Sequence, residues 1–143
     1  MLGVVPDNVI RVSAVVLRND AGAVLMVRKR GTARFMLPGG KPEPGESARE
    51  TAVRECAEEL GILLDLSTLR DLGSFRTAAA NEAGFEVEAT VFEQPEPVVV
   101  ASAAAEIAEL RWLDTGALPL PDDLAPLLRE KVLVALAAQD QSR

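Results

Sequence analysis

Hydrophobic and polar positions in the first third of the chain follow the pattern of β-strands. Residues 9–18 (VIRVSAVVLR) and 23–28 (AVLMVR) are rich in β-branched side chains, and residues 19–22 (NDAG) between them have the composition of a turn. This pattern predicts two strands paired as a hairpin. The following segment, 33–40, is predicted to be extended and ends in Pro38, Gly39 and Gly40.

A helix is predicted from Glu46 to Leu60. The loop before it carries prolines at positions 42 and 44, which do not fit inside a helix. Gly45 is a tolerable N-cap, Glu46 favours the positive end of the helix dipole, and Gly61 supplies a left-handed stop. The apolar stripe expected to anchor this helix to a sheet consists of Ala52, Cys56 and Leu60.

The second half of the chain predicts more strands and a last helix. Residues 68–79 and 84–94 read as two strands that pair with each other, and 110–114 as a short strand. Residues 95–109 are expected to form a loop, with a strand fragment inside it left open, and residues 121–139 a capped helix. Strands interleaved with two helices predict an α/β fold in which helices cover a mixed sheet. No linker or repeat divides residues 1–143, so a single domain is expected.

Composition narrows the chemistry. The chain has no histidine and one cysteine, Cys56, which excludes an internal disulfide, Ser-His-Asp or Cys-His catalysis and histidine-ligated zinc. A net charge of −7 argues against binding to a nucleic-acid backbone. Apolar runs are too short for a membrane span or a signal peptide, so a cytoplasmic protein without a membrane partner is expected, and a homodimer stays open.

Three carboxylates crowd one face of the predicted helix: Glu55, Glu58 and Glu59 fall within roughly 100° of arc. Each like-charge pair at this spacing costs about 0.2 to 0.5 kcal/mol on an exposed helix. A hard cation such as Mg²⁺, Mn²⁺ or Ca²⁺ would offset that repulsion, because these ions prefer oxygen ligands. The alternative is an ordinary solvated helix face, and spacing alone does not decide between the two.

Residues 40–62 resemble the Nudix box at every defined position. The matching residues are Gly40, Glu46, Arg54, Glu55, Cys56, Glu58, Glu59, Gly61 and Ile62. An aliphatic residue is commoner where Cys56 stands, and a buried free cysteine behaves as a small hydrophobe. Outside the box, residues 14–30, 35–41 and 109–114 are similar in order to the elements of MutT-type members of that family.

The resemblance implies a Nudix fold, an α/β/α sandwich around a mixed central sheet. It also implies hydrolysis of a nucleoside diphosphate linked to a group X, with Mg²⁺ as cofactor and Mn²⁺ as a substitute. Metal binding is implied for three carboxylates, with one carbonyl as a weaker ligand: Glu55, Glu58, Glu59 and Gly39. Arg54 resembles the arginine that orients a catalytic glutamate, and Glu46 the first, mainly structural acid of the box.

The general base and the phosphate contacts are less sharply indicated. In the family the base lies in the box or on a later loop, so Glu55 is the first candidate and Glu106 the second. Lys41 resembles the phosphate-contacting lysine that follows the double glycine. Arg28 and Arg30 end a strand near the same loop, and strand alternation places both on one side, with Lys29 on the other. We take Arg28 and Arg30 as further substrate-binding candidates.

The residues that mark particular substrate subfamilies are missing from this sequence, and the substrate is inferred from their absence. The chain has no tyrosine, no stretch typical of NADH-specific members, and no proline near Thr77 where ADP-ribose pyrophosphatases carry one. It therefore resembles the group that cleaves nucleoside triphosphates and releases pyrophosphate, including enzymes that remove modified nucleotides. A base would stack on one of the aromatic residues, which are Phe35, Phe75, Phe85, Phe92 and Trp112. An ADP-ribose or nucleotide-sugar pyrophosphatase and a non-catalytic nucleotide-binding Nudix module remain alternatives.

Overall fold

The computed structural model describes residues 8–141. Within that range the strands are β1 (Val9–Val16), β2 (Val24–Lys29), β3 (Gly39–Gly40), β4 (Arg70–Ala78), β5 (Glu86–Glu93) and β6 (Ile107–Leu113). Helix α1 spans Ala48–Leu60, and a C-terminal helix runs as a π-helix over Leu127–Val132 and as α2 over Leu133–Gln141. No helix in residues 8–141 is long and apolar enough to cross a membrane.

The strands form a mixed four-stranded sheet and a separate two-stranded ribbon. The sheet has the order β3-β1-β5-β4, in which β1 and β5 are parallel and the other two pairs are antiparallel. The ribbon pairs β2 with β6 in antiparallel orientation, with Val24 opposite Leu113. The predicted pairing of β4 with β5 and the predicted mixed sheet are confirmed.

Alternation along the strands gives the protein two apolar cores. On one side, the buried residues of the first two strands pack against α1; they are Val15, Leu17, Leu25 and Val27 on the strands and Ala52, Cys56 and Leu60 on the helix. On the other side, the intervening strand residues pack against the C-terminal helix; they include Ala14, Val16, Val24, Met26, Leu128, Val132 and Leu136. Helices therefore cover both faces, which confirms the α/β/α layering, and the predicted anchoring stripe of α1 is buried.

The predicted hairpin is only partly right. The turn is present, since the Asn19 amide donates to the Ala23 carbonyl over 3.1 Å, and Arg18 pairs with Val24. Beyond that turn, however, β1 joins the four-stranded sheet and β2 joins β6. Residues 13–17 and 24–27, on either side of the turn, are buried on both faces. Each strand therefore finds partners elsewhere, and a local turn does not fix which sheet a strand enters.

The predicted start of α1 is wrong by two residues. Ser47 is the N-cap, and its hydroxyl accepts from the Glu50 amide while the Glu50 carboxylate accepts from the Ser47 amide. This reciprocal capping box satisfies two backbone donors and outweighs Gly45 as a start signal. Glu46 lies outside the helix, and its carboxylate accepts from the Glu43 amide and the Thr51 hydroxyl.

Two further boundaries differ from the sequence prediction. The last helix begins at Leu127 and not at position 121, because the backbone before it is used for pairing with an extended segment: the Phe35 amide donates to Asp123 and the Ala125 amide to Phe35. Strand β6 begins at Ile107. The last three of the residues 95–109, predicted to be a loop with a possible strand fragment, therefore belong to a strand.

Candidate active site

Two glycines bring helix α1 within contact of β1. Strand β3 consists of Gly39 and Gly40, paired with Ala14 and Ser13 of β1. A Cβ on Gly39, whose φ is 156°, would lie 2.0 Å from the Ser13 carbonyl oxygen. A Cβ on Gly40 would lie 2.2 Å from Oε2 of Glu55. Only glycine fits at position 39, where the contact is with backbone, and a side chain at position 40 would displace the Glu55 carboxylate. The absent side chains therefore leave room for carboxylates of α1 against the strand backbone.

Glu59 is the deepest carboxylate of the site. Its side chain is 1% exposed, Oε1 accepts from the Gly39 amide over 3.0 Å, and Oε2 lies 3.7 Å from Nζ of Lys29. Burial raises the pKa of Glu59 from 4.5 to about 7, against the opposing effects of the Gly39 amide and the Lys29 ammonium. The group is therefore held at the edge of ionisation by a site that offers it too few positive partners.

Glu55 and Glu58 differ in their surroundings although both lie one turn or less from Glu59. The Glu55 side chain is 13% exposed, and burial raises its pKa. The Glu58 side chain is 54% exposed, and both its oxygens lie 3.2 Å from Nη1 of Arg54. Glu55 thus faces the glycine strand with Glu59, whereas Glu58 faces solvent and the arginine.

Arg54 joins the box acids to one another. Its guanidinium donates to both oxygens of Glu46, over 2.9 and 2.7 Å, and to the Lys41 carbonyl over 3.0 Å. Hydrogen bonding by Arg54 lowers the pKa of Glu46 to about 2, and the same contact raises the pKa of Arg54. Arg54 also lies 3.6 Å from Glu55. These contacts fit the structural part expected of Glu46, and they hold the loop before α1 against the helix.

The basic residues at the end of β2 are arranged differently from the sequence expectation. Arg28 donates to Glu109 and to the Thr32 carbonyl, and Arg30 donates to the Ala105 carbonyl. The structure does not bring either guanidinium to Glu59. Instead it brings Lys29 there, on the side of the strand that Leu25 and Val27 use to face α1. The signal was present in the sequence, because Lys29 continues that alternation.

The loop candidate for the base, Glu106, lies near the box carboxylates. Its charge contributes to raising the pKa of both Glu55 and Glu59. Its carbonyl accepts from the Arg30 amide over 2.9 Å, and the Ala104 amide donates to the Glu59 carbonyl over 2.8 Å. Two backbone hydrogen bonds therefore hold the residues before β6 beside the site. The side chain of Lys41, by contrast, is exposed to solvent.

A cavity opens beside the glycine strand on the face away from α1. Its lining is mainly aliphatic and includes Val12, Met36, Leu37, Val87, Leu127 and Leu128. Gly39 and Gly40 form part of its wall, and Lys29 lies at the same end. None of the five aromatic candidates for base stacking lines it; Phe35 is buried with the Arg111 guanidinium 4.0 Å from its ring centre. Any group bound there would contact aliphatic side chains and backbone.

The carboxylate oxygens of Glu55 and Glu59 are of the kind that a hard divalent cation prefers. Glu55 and Glu59 both reach the glycine strand. Among residues 8–141, no three acidic, histidine or cysteine side chains are grouped closely enough to enclose an ion by themselves. Mg²⁺ typically keeps several waters and is held by one or two carboxylates together with substrate phosphates. Two largely buried carboxylates near a cavity fit that mode of binding.

Comparison with known proteins identifies the family. The NUDIX domain model matches residues 7–133 of this chain. The chain belongs to the Nudix family. As a Nudix hydrolase it is an enzyme of a family that acts on diphosphate-containing substrates and generally needs a divalent metal. The match confirms the family resemblance that residues 40–62 carry.

Relatives of this Nudix hydrolase are named for different activities. It is 35% identical over 107 residues to a putative 8-oxo-dGTP diphosphatase from Bacillus subtilis, which covers 74% of this chain and 67% of that protein. It is 31% identical over 156 residues to an isopentenyl-diphosphate Delta-isomerase from Nocardia farcinica, covering 96% and 85%. The solution structure of the E. coli ORF135 protein aligns with a TM-score of 0.73 at 28% identity, covering 99% and 98%.

Gly40→Ala is expected to lower turnover by about tenfold or more, because displaced charged groups in an active site cost at least that much. The new Cβ would lie 2.2 Å from Oε2 of Glu55, so that carboxylate must move. Gly116→Ala is the matched control, since its Cβ would meet nothing closer than 3.5 Å. Steady-state kinetics on both variants provides the test. Wild-type turnover in Gly40→Ala would show that the position of Glu55 does not matter.

Glu59→Gln is expected to raise the metal-free melting temperature increasingly with pH. The pKa of Glu59 is about 7 in the folded protein against an ordinary 4.5, so between these values the folded state retains a proton that the unfolded chain has lost. Stability therefore falls as pH rises through that window, and the substitution removes the loss. The Tm difference between variant and wild type should grow from pH 5 to pH 8. Glu58→Gln, which changes an exposed acid on the same helix, is the control. If the Tm difference from wild type is independent of pH for both variants, the raised pKa of Glu59 is contradicted.

Proposed function

We propose that this Nudix hydrolase is a metal-dependent nucleoside triphosphate pyrophosphohydrolase that releases pyrophosphate and a nucleoside monophosphate. The observation that carries the proposal is the placement of Glu55 and Glu59 against the Gly39–Gly40 backbone, at the end of a cavity. Carboxylates at this place would bind the phosphates of a substrate through a cation, and the remaining part of the substrate would occupy the cavity. The NUDIX match supports hydrolysis of a diphosphate bond as the chemistry.

Glu55 and Glu59 would hold the cation, proposed to be Mg²⁺ with Mn²⁺ as a substitute, and Glu58 and the Gly39 carbonyl are the further ligands proposed. When bound, such a cation supplies charge neutralisation of the diphosphate and acidifies the attacking water. Arg54 donates to the Lys41 carbonyl and so fixes the loop that carries Lys41. It also donates to the solvent-exposed Glu58 carboxylate and so holds that side chain in place. Burial of Glu55 and Glu59 excludes water that would weaken these electrostatic interactions.

The proton of the attacking water would pass to a glutamate, since the chain has no histidine. Glu55 is mostly buried and its raised pKa suits a proton acceptor better than an ordinary exposed carboxylate would. Glu106 has the advantage of free carboxylate oxygens, because no hydrogen bond or ion pair to its side chain is found in the described range. Both therefore stay candidates, with Glu55 first.

Triphosphates are proposed over ADP-ribose on grounds of charge and missing markers. The triphosphate tail carries more negative charge, and the exposed Lys41 is the basic residue proposed to meet it, whereas Arg28 and Arg30, the other candidates from the sequence, donate to Glu109 and to the Ala105 carbonyl. The Bacillus subtilis relative, a putative 8-oxo-dGTP diphosphatase, favours the same class. ADP-ribose would also need polar contacts for a second ribose, and the cavity lining is mainly aliphatic.

An isoprenoid diphosphate is the second candidate, favoured by the aliphatic cavity and by the relative named isopentenyl-diphosphate Delta-isomerase. Moving a double bond would require a proton donor and acceptor facing the carbon chain. In the described range, the ionisable residue that lines the cavity is Lys29. The Cys56 thiol is fully buried on the side of α1 that packs against the strands, and burial raises its pKa to about 12. Hydrolysis is thus favoured over isomerisation even for such a substrate.

A non-catalytic nucleotide-binding module is disfavoured by the intact acids of the box. Retaining Glu59 buried and poorly compensated costs stability, and that cost has a use only if a cation or substrate joins the site. A cytoplasmic location and a homodimer remain predictions from the sequence.

Nucleoside triphosphates are expected to exceed ADP-ribose, nucleotide sugars and isopentenyl diphosphate in kcat/KM. The measurement is the rate of product release from each of these substrates at saturating Mg²⁺, with pyrophosphate and monophosphate products quantified separately. It is repeated with excess EDTA and with the Lys41→Ala variant. Activity is expected to vanish with EDTA. ADP-ribose or isopentenyl diphosphate ranking first would overturn the substrate class, and full activity in EDTA would overturn the metal site. An equal Lys41→Ala penalty on all substrates would show that Lys41 binds the shared diphosphate without selecting among them.

Substitution of the general base by glutamine is expected to reduce kcat by about 10² or more. We expect Glu55→Gln to show this loss and Glu106→Gln to show a smaller one. Metal affinity is measured separately by calorimetry, because Glu55 is also a proposed ligand. If Glu106→Gln shows the larger loss at unchanged metal affinity, the base lies on the loop. If neither variant slows turnover, the base is neither residue.

A further inference from the structure

The acid Glu106 lies in a loop that is anchored where it enters the sheet. This Glu106 loop, residues 104–106, leads into β6, whose first residue Ile107 is buried in the core that α1 covers. The pairing register shifts between Arg28 and Lys29, so β6 carries an extra residue opposite them. A bulge of this kind re-aims the chain at the end of paired strands. The loop therefore enters the sheet at a fixed position.

Hydrogen bonds tie the backbone of the Glu106 loop to α1 and to the end of β2. The Ala104 amide donates to the Glu59 carbonyl over 2.8 Å. The Arg30 amide donates to the Glu106 carbonyl over 2.9 Å, and Nε of Arg30 donates to the Ala105 carbonyl. Arg30 follows directly on β2, so it holds the loop to that strand with both its backbone and its side chain.

The carboxylate of Glu106 is not itself restrained. The residue is exposed, and within residues 8–141 its carboxylate has no hydrogen bond or ion pair. It is nevertheless close to the acids of α1, because its charge contributes to raising the pKa of Glu55 and of Glu59. The direction of this carboxylate therefore depends on the backbone that carries it, and Arg30 holds that backbone.

We propose that Arg30 is a positioning residue for Glu106: its guanidinium holds the Ala105 carbonyl and so keeps the Glu106 carboxylate beside the acids of α1. This inference rests on the proposed function and deepens it, because Glu106 is one of the two candidate bases. It gives Arg30 a part different from the phosphate contact that the sequence predicts for it.

A bond from Arg30 to a carbonyl positions the acid without engaging it. An arginine paired directly with the Glu106 carboxylate would stabilise its charged form and weaken it as a proton acceptor. A guanidinium is always charged and has several N–H donors in fixed directions, so it can restrain a neighbouring carbonyl oxygen instead. The carboxylate then stays available to the reaction.

Two competing explanations exist for Arg30. If it contacted a substrate phosphate, its loss would slow the enzyme whether or not the Glu106 carboxylate is present. If it only stabilised the fold, its loss would lower the melting temperature and leave kcat of the folded variant unchanged. A positioning residue predicts a loss of kcat only where the Glu106 carboxylate is present.

The test is a double-mutant cycle of Arg30→Met and Glu106→Gln, measured as kcat and KM at saturating Mg²⁺. Each variant is assayed on the diphosphate compound that the wild type turns over fastest, so the result does not require that compound to be a triphosphate. We expect Arg30→Met to lower kcat about tenfold, and by no more than Glu106→Gln does, with KM changed by less than about twofold. In the Glu106→Gln background the same substitution should change kcat by less than about twofold.

Two further variants complete the kinetic test. Arg30→Lys keeps a donor at this position and should recover kcat to within about threefold of wild type. Arg70→Met is the matched control, because Arg70 is exposed at the start of β4, and it should stay within about twofold of wild type.

Amide hydrogen exchange provides a readout that needs no turnover. The Ala104 amide donates to the Glu59 carbonyl and the Ile107 amide to the Ala104 carbonyl. We expect both amides to exchange about tenfold faster in Arg30→Met, as for the loss of a hydrogen bond from a charged group. The bond from the Arg30 amide is kept in every variant, so the protein should fold. If Arg30→Met does not fold, Arg30→Gln at lower temperature provides the same comparison.

An equal loss of kcat from Arg30→Met in both backgrounds would overturn the proposal, because Arg30 would then act apart from Glu106. Wild-type kcat in Arg30→Met, or unchanged exchange of the loop amides, would also overturn it. Wild-type kcat in Glu106→Gln would leave Arg30 nothing to position and would refute it as well. If triphosphates are poor substrates and the cycle on the preferred compound is still non-additive, the proposed substrate is wrong and the role of Arg30 stands.

Discussion

The close approach of helix α1 to the Gly39–Gly40 strand is the constraint on which the site depends. Gly39 has room only for a hydrogen beside the Ser13 carbonyl, and a side chain on Gly40 would displace the Glu55 carboxylate. The same strand donates the Gly39 amide to Glu59. Side chains on β3 would push β1 and α1 apart and remove the space in which two carboxylates meet the backbone.

Electrostatics inside the site are arranged around two cations of unequal freedom. Arg54 is shared among four carboxylates, two in the loop before α1 and two on α1 itself, and so stabilises the junction between loop and helix. Lys29 has one partner, which is the most buried acid. The repulsion expected among crowded glutamates is thus partly relieved within the protein, so repulsion by itself is a weaker argument for a metal than it is in the sequence. The stronger argument is the incomplete compensation of Glu59, whose pKa burial raises to about 7.

The cavity and the carboxylates belong to opposite faces of the same sheet edge, and they meet only at β3 and Lys29. The C-terminal helix supplies Leu127 and Leu128 to the cavity, and α1 supplies the acids. The capping box at Ser47 and the backbone pairing of Phe35 with Asp123 and Ala125 fix where each helix begins, and hence which side chains reach the junction. In the proposed function, diphosphate chemistry at the carboxylates and selection of the attached group in the cavity are therefore separated in space and joined by one strand.

Local sequence determined the strands, helix α1 and the acidic box, because periodicity, glycine stops and charge spacing act within a few residues along the chain. The box also gave the family and the expectation of diphosphate hydrolysis. Partners distant in sequence were decided by the tertiary structure: β2 leaves its hairpin for β6, and the last helix starts after residues that pair with Phe35. At the site, the sequence pointed to Arg28 and Arg30, and only the packing of β2 against α1 turned Lys29 toward Glu59. Alternation along a strand says which residues share a side, and the side that faces the site is decided by the element packed against it.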